Sequence, residues 1–422
     1  MSSGKLSNDL SSVVAAQPRK LRVAIVSPFL DQSHGTERIV IEWLSRLADE
    51  FELHIYSQRV EDFDRSKFTY HRISELPGPH IFNYLWWFAA NHIRRAWDAA
   101  FRGIKPDLVF TPGINCFDAD VISVHIVFAE FFRQAKPELR FLSNPMRRWP
   151  RLLHRRFYYS LIIFLERLIY PSPRNQLVLI AKKTQVDLQR FYPRKGSSPV
   201  VYLGLDHRRF NPSQCAKLRQ SARESLGLGN HDVALLLIGN DLLKKGIATL
   251  FEALQRLHDL PLSLLIVSRE SGSGYQASID AKGLNGRVHF LSPRKDVEFY
   301  FAAADAYVGP SLEDTFAMPP EEAMACGLPV IASVPNGVSE IITHGENGLI
   351  LEDARDAETL ASLIRRVCED QAFRATLGKN AAKSVEQFTW ERNAQELRAI
   401  FDEVVRQKSD SSLMGKALEP DR

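Results

Sequence analysis

PSLEDTFAMPPEEAMACGLPVIAS, Pro310 to Ser333, packs loop, helix and strand signals around closely spaced carboxylates. Pro319 and Pro320 fix φ near the helical value and bring no amide donors, so they suit the first positions of a helix. Glu321 and Glu322 then fall in its first turn, where unsatisfied amides favour negative charge. Gly327 and Pro329 stop the helix after Cys326, and PVIAS reads as a buried strand. LEDTFAM, ahead of the helix, is a loop whose last amides point at whatever sits before the helix N-terminus. Carboxylates on one side and backbone donors on the other suit a polyhydroxylated ligand. Two registers fit the spacing of acids, Glu313 with Glu321 and Asp314 with Glu322; acids that only serve the helix dipole or face solvent fit it too.

Outward from this stretch the same alternation of buried strand, loop and helix recurs. Strands are expected at Leu21–Phe29, Glu52–Tyr56, Asp107–Phe110, Val121–Val127, Val178–Ala181 and Val200–Leu203. A second series follows at Ala234–Ile238, Leu264–Val267, Val288–Leu291 and Asp305–Val308. The spacing predicts an α/β chain of two Rossmann-like, doubly wound halves. After the first strand, Ser33, Gly35 and Thr36 precede a helix from about Glu37 to Asp49, a unit that can cradle an anion, although such loops carry Gly for ordinary reasons too. GNDLLKKG, Gly239 to Gly246, precedes a helix to about His258 and offers amides, a dipole end and the ammonium groups of Lys244 and Lys245 to a diphosphate; surface lysines are the plainer reading. No GxGxxG occurs, which argues against a nicotinamide cofactor.

Composition narrows the classes further. The 422 residues, 45% hydrophobic and 25% charged, suffice for two globular domains. With 54 basic against 50 acidic residues, overall charge gives no argument for nucleic acid. Cys116, Cys215, Cys326 and Cys368 form no CxxC pair, which fits neither a disulfide framework nor a zinc site and points to a reducing compartment. The best candidate for a bilayer span, Leu161–Tyr170, is interrupted by Glu166 and Arg167 and is too short. Between Phe131 and Arg167, nine basic residues (Arg133, Lys136, Arg140, Arg147, Arg148, Arg151, Arg155, Arg156, Arg167) face two acids, Glu138 and Glu166, a net +7. Phe141, Trp149, Phe157, Tyr158 and Tyr159 interleave, and Phe82, Tyr84, Trp86, Trp87 and Trp97 form a second aromatic run. Charge beside exposed aromatics suits the headgroup layer of an anionic membrane; nucleic acid, or a solvated face over core aromatics, are the other readings. The expectation adopted is an anionic membrane surface contacted through 131–167, without nucleic acid.

Asp-Thr-Phe-Ala (314–317) followed by Glu-Ala-Met-Ala-Cys-Gly-Leu-Pro-Val (322–330) resembles the acidic-x7-Glu signature of the retaining family 4 glycosyltransferases, glycosyl transferases group 1, whose GT-B fold sets two Rossmann-like domains across a cleft. The resemblance selects Asp314 and Glu322 over Glu313 and Glu321, since the family's first acid precedes the aromatic by two residues and its second precedes Ala-Met. Asp314 replaces the common Glu, and Ala317 the common Gly. Gly-Thr-Glu-Arg (35–38) resembles the family's acceptor-side loop. His125 resembles its strand-end histidine, a contact of the transferred sugar, where the residues alone favour a structural role. Gly204-Leu205-Asp206 with Phe210-Asn211-Pro212 resembles the segment before the interdomain linker. Lys245 matches the phosphate-binding lysine; Asn240 stands where many members have Arg, so Lys244 is expected to compensate. Arg294 follows the strand beside which the base is gripped. Asp118-Ala119-Asp120 matches the metal motif of the other large glycosyltransferase fold but precedes a strand instead of closing one, and is read as a chance match.

The Ser-rich start, which lacks a long apolar core, reads as a disordered leader (1–20) and the polar end as a disordered tail (408–422); the resemblance implies an acceptor domain (21–207), a donor domain (208–388) and a helix crossing back (389–407). It implies retaining transfer of a hexosyl group from a UDP- or GDP-linked sugar, with no metal and no further cofactor; the basic, aromatic segment 131–167 adds the expectation of a lipid-linked or saccharide acceptor, for envelope glycoconjugate or polysaccharide synthesis. His125, Lys245, Asp314 and Glu322 would be catalytic; Gly35, Gly239, Asn240, Lys244, Lys245, Arg294, Phe316, Ala317, Met318 and Glu322 would hold the donor. The expected place is cytoplasmic, peripheral on the inner membrane face, and a catalytically silent nucleotide-sugar binder is the alternative.

Overall fold

The computed structural model describes residues 19–32, 35–135, 146, 149–229 and 232–417. Most of the expected leader, Ser33, Lys136, Glu138, Arg140, Phe141, Arg147 and Arg148 lie outside the described residues. The first domain runs β1 (Arg22–Val26), β2 (Phe29–Leu30), α1 (Gly35–Leu47), β3 (Glu52–Ser57), β4 (Arg59–Val60), β5 (Thr69–Arg72), α2 (His80–Phe101), β6 (Leu108–Pro112), β7 (Val121–Val124), α3 (Phe128–Ala135), α4 (Trp149–Ile169), β8 (Gln176–Leu179) and α5 (Lys182–Phe191). The second runs α6 (Pro212–Ser225), β9 (Val233–Ile238), α7 (Ile247–Gln255), β10 (Leu262–Val267), α8 (Gln276–Ala281), β11 (Val288–Leu291), α9 (Glu298–Ala303), β12 (Ala306–Gly309), α10 (Met318–Ala325), β13 (Val330–Ser333), β14 (Leu349–Leu351), α11 (Ala357–Glu369) and α12 (Gln371–Val385). Last comes α13 (Trp390–Ala417).

Each domain has a six-stranded parallel sheet, ordered β5-β3-β1-β6-β7-β8 and β11-β10-β9-β12-β13-β14. Near-continuous runs such as VALLLI of β9 are what a sheet covered by helices on both faces requires. Strand order reverses between β1 and β6 and between β9 and β12, and the carboxyl ends at such switch points are where open α/β sheets bind ligands. One apolar core joins the halves: Val201, Leu203, Leu205 and Phe210 of the linker pack with Trp43 and Trp390 on one side and Phe301 and Phe316 on the other. Gly204 is needed there, because a Cβ would lie 2.5 Å from the backbone N and Cα of Trp390.

Several boundaries differ from the sequence expectations. The strand expected from Leu21 to Phe29 breaks at Ser27-Pro28, after which Phe29–Leu30 pairs with β4. The strand expected to Val127 ends at Val124, because the Glu166 carboxylate accepts the amides of Phe128 (2.9 Å) and Ala129 (3.3 Å) and draws the chain into α3. That carboxyl is fully buried, and burial raises it to about 7. Val200–Leu203 forms only an isolated bridge to Leu179 before the linker departs. The tail expected to be disordered from Lys408 continues α13 to Ala417. Lys408 Nζ holds it down, donating to Asp120 (2.8 Å) and to the Asp107 carbonyl (2.9 Å). Residues 418–422 lie outside the described residues.

Candidate active site

A cleft of about 910 Å³ separates the two sheets' carboxyl ends. From the second domain β9 delivers Gly239 and Asn240, after which Asp241 (φ 57°) turns the chain in the left-handed region and Gly246 (φ 77°) starts α7. Gly239 leaves room for a neighbour: a Cβ there would meet Lys245 Cε at 2.7 Å, so the lysine crosses the loop only because position 239 is bare. Lys245 Nζ then pairs with the Asp314 carboxylate.

The helix read from PPEE is α10, with Pro at its first positions, Cys326 at its C-cap and Gly327 in the left-handed region (φ 80°). Its approach, Asp314 to Met318, lines the cleft together with Glu322. Asn336 Oδ1 accepts the amides of Ala317 (3.4 Å) and Val338 (3.2 Å) and steadies the loop. Glu322 is buried and takes Arg38 Nη2, from α1 of the opposite domain, at 3.2 Å.

The other register faces elsewhere. Glu313 accepts from Lys183 Nζ (2.6 Å) and Gln134 Nε2 (2.7 Å), a bridge to the first domain outside the main cleft. Glu321 is fully buried with neither oxygen partnered among the described residues, and burial, with Glu322 adding to it, lifts its carboxyl well above the usual range.

On the first-domain side Gly35 and His125 line the cleft. His125 Nε2 lies 3.1 Å from Ser123 Oγ, Nδ1 has no partner among the described residues, and burial depresses the imidazole to about 4, so it is neutral at physiological pH. His125 and Ile126 also border a second chamber, about 420 Å³, walled by Tyr84 and Trp87 of α2 and Tyr158 and Ile162 of α4.

The structure thus brings Gly35, His125, Gly239, Asn240, Lys245, Arg294, Asp314, Phe316, Ala317, Met318 and Glu322 to one cleft. Lys244 is the exception. It pairs with Asp241 (3.0 Å) and sits over the Phe131 ring at 4.0 Å, outside that lining, because successive side chains on the turn diverge. Arg294 borders the cleft but pairs with Asp296 (2.6 Å) and covers Phe299. Sequence reading missed the contributions of Arg38, Arg209, Arg269 and Lys295 to this wall; Arg38 stood inside the quoted Gly-Thr-Glu-Arg, but nothing local announced its partner.

The carboxylates of the Asp118–Asp120 triplet have protein partners: Asp118 takes the Arg95 guanidinium at 2.6 and 2.7 Å, and Asp120 takes the Val109 amide and Lys408. Among the described residues no His, Cys, Asp and Glu cluster could hold a metal ion. The aromatic runs divide. Tyr84, Trp87 and Tyr159, expected at a headgroup layer, are buried, and Tyr84 and Tyr158 pack α2 against α4 with ring centroids 5.7 Å apart. Phe82, Trp86, Trp97 and Phe157 of those runs do face out, and Ile93 and Phe101 along α2 and Leu153, Phe164 and Leu168 along α4 join them, each at helical spacing.

Residues 219–384 match the family described as glycosyl transferases group 1. D-inositol 3-phosphate glycosyltransferase of Corynebacterium kroppenstedtii is 29% identical over 219 residues, 49% of this chain and 48% of that protein. The same-named protein of a Nocardioides species is 30% identical over 223 residues, 48% of this chain and 47% of that protein. The chain spans about half the length of the curated relatives it matches. Among solved structures, WaaG, a glycosyltransferase involved in lipopolysaccharide biosynthesis, superposes with TM-score 0.73 at 20% identity, covering 90% of this chain and 99% of that one. Sucrose-phosphate synthase of Thermosynechococcus elongatus follows at TM-score 0.71, 20% identity and coverage of 92% and 100%. Anabaena HepE in complex with UDP-glucose gives 0.65 at 21% identity, over 91% and 100%. The fold is GT-B.

Proposed function

We propose that this protein is a retaining, metal-independent transferase that moves a hexosyl group from a UDP- or GDP-linked sugar to a lipid-linked or saccharide acceptor. The observation that carries the reading is the convergence of Lys245, Asp314 and Glu322 on one wall of a cleft that His125 faces from the other domain. Lys245 and the N-terminus of α7 offset the charge that grows on the departing diphosphate, the largest electrostatic demand in breaking the glycosidic bond. Glu322 accepts hydrogen bonds from the ribose diol, which replaces Arg38. Asp314, released as the diphosphate draws Lys245, orients the hexose hydroxyls with the amides of Phe316 to Met318. Neutral His125 is suited to hydrogen-bond the hexose from the far side. A leaving phosphate oxygen takes the acceptor's proton on the face the sugar leaves from, so no enzyme base enters. The group 1 match of the donor half and the UDP-glucose complex of a protein of like fold support a nucleotide sugar as donor.

The acceptor reading rests on the first domain. Its chamber meets the cleft at His125 and lies beneath α2 and α4, whose outward faces are apolar, with exposed Arg151 and Arg155 alongside. That combination suits the surface of an anionic membrane, on its cytoplasmic face, and an acceptor borne by it, as envelope glycoconjugate synthesis needs. Among the described residues no helix is long and apolar enough to cross a membrane. Screening nucleotide sugars by thermal shift tests the donor reading, since a ligand at 100 times its dissociation constant adds about 2.7 kcal/mol. Stabilisation by a UDP- or GDP-sugar is expected; none from any nucleotide sugar contradicts it.

A further inference from the structure

The cations around the donor cleft are, with few exceptions, already neutralised. Lys245 is paired with Asp314, Arg38 with Glu322 at 3.2 Å, Arg209 with Glu298 at 2.7 Å and Arg294 with Asp296 at 2.6 Å. A diphosphate diester brings about two negative charges, so these pairs alone present it with no net positive field. Among the described lining residues, Arg269 and Lys295 have no acid partner.

Position separates the two. Arg269 lies just past β10, the immediate neighbour of β9, whereas Lys295 lies past β11, one strand further from the loop that carries Lys245. Two hydrogen bonds also stitch the Arg269 segment to that loop: Asn240 Oδ1 accepts the Arg269 amide at 3.1 Å, and Glu270 Oε1 accepts the Leu242 amide at 2.9 Å. Glu270 is itself steadied by Tyr275 Oη at 2.8 Å. The side chain of Asn240 is therefore spent on the backbone of Arg269, leaving an exposed guanidinium on the rim of the phosphate loop.

Resting on the nucleotide-sugar reading, we infer that Arg269 is the second cation for the donor's diphosphate and that Asn240 is its positioning residue. The chain thereby replaces an arginine on the β9 loop by one on the adjacent loop, the task for which Lys244 is turned the wrong way. A guanidinium can engage two phosphate oxygens at once, so the contact supplies orientation as well as charge.

Titration calorimetry of the full chain with UDP and GDP, and with uridine and guanosine as phosphate-free probes, tests this. Arg269→Gln should weaken the preferred diphosphate about tenfold or more and leave the nucleoside unchanged, with Arg269→Lys between. Asn240→Ala should weaken the diphosphate less, at unchanged melting temperature. Asn240→Arg placed in the Arg269→Gln background should recover binding, because it restores a guanidinium from the neighbouring loop. Diphosphate binding within twofold of the parent in Arg269→Gln, or equal loss of nucleoside and diphosphate, overturns the assignment while leaving the donor reading intact. Failure of the parent to bind either diphosphate overturns both.

Discussion

At the scale of single residues, the cleft separates two pairs of acids that the sequence spaces identically. Asp314 and Glu322 face the cations of the cleft, while Glu313 bridges to Lys183 and Glu321 is sealed without a partner. Glu322→Gln should weaken donor binding and Asp314→Asn should mainly slow transfer, while Glu313→Gln and Glu321→Gln should leave turnover near the parent's; steady-state kinetics distinguish the two pairs. Glu321 also carries a stability signature. Its folded pKa lies above the unfolded value of 4.5, so the stability it lends is full below that pH and is lost as pH rises towards the folded value. Glu321→Gln should thus gain on the parent in urea denaturation at pH 8 relative to pH 4.5, and an equal difference at both would refute the neutral buried carboxyl. Such assignments were only half legible. The Asp314/Glu322 register came from a resemblance to known motifs, since charge and spacing alone allowed both. Arg38 could not be matched to Glu322, because 284 residues separate them and only the closed fold joins them.

Elements were legible where their signals are local. Pro-Pro, Glu-Glu and Gly-x-Pro bracket α10 within a dozen residues, and β9 announces itself by an unbroken apolar run. Edge strands escaped notice: β5 reads Thr-Tyr-His-Arg and is polar along its outer side, and β14 is three residues long. The far end of α13 also escaped, as its polar surface looks like tail and only Lys408's contacts with Asp107 and Asp120 reveal the docking. The start of α13 makes a sharp prediction. Gly204 crosses Trp390 backbone to Cβ position at 2.5 Å, and neither chain can yield by rotating a side chain. Gly204→Ala should cost about 1–3 kcal/mol, read as a lower denaturation midpoint, through overpacking at the seam between domains. An unchanged midpoint would mean that the linker and α13 part more easily than this packing implies.

The whole molecule presents the two-domain architecture that strand alternation predicted, with a continuous core beneath an open cleft. Its least economical feature is the apolar outer face of α2 and α4, where Phe82, Phe101 and Phe157 are each more than 60% exposed. The sequence pointed to this region by charge and aromatic content, but only part of each run faces out: Phe82, Trp86, Trp97 and Phe157 do while Tyr84, Trp87 and Tyr159 are buried, because an aromatic-rich helix does not announce which of its stripes meets the core. Sedimentation with anionic vesicles at low salt should retain the protein, and Phe82→Ser with Phe157→Ser should remove the salt-resistant part. Changing Arg151 and Arg155 to Ser should remove part of the salt-sensitive attachment, each basic residue contributing about 1 kcal/mol near such a surface. Indifference of the parent to anionic vesicles would make a soluble acceptor the better reading.

The proposed chemistry of the cleft is the breaking of a nucleotide–sugar bond with Lys245 bearing on the leaving diphosphate. Release of UDP or GDP from a panel of nucleotide sugars, with EDTA present and membrane lipid or saccharide supplied as acceptor, measures this for the parent and for Lys245→Ala. This role for Lys245 predicts that one donor is turned over in EDTA and that Lys245→Ala, while melting like the parent, is slower by roughly a hundredfold or more, since such a charge-assisted contact contributes on the order of 3 kcal/mol. Turnover in Lys245→Ala within threefold of the parent would contradict it.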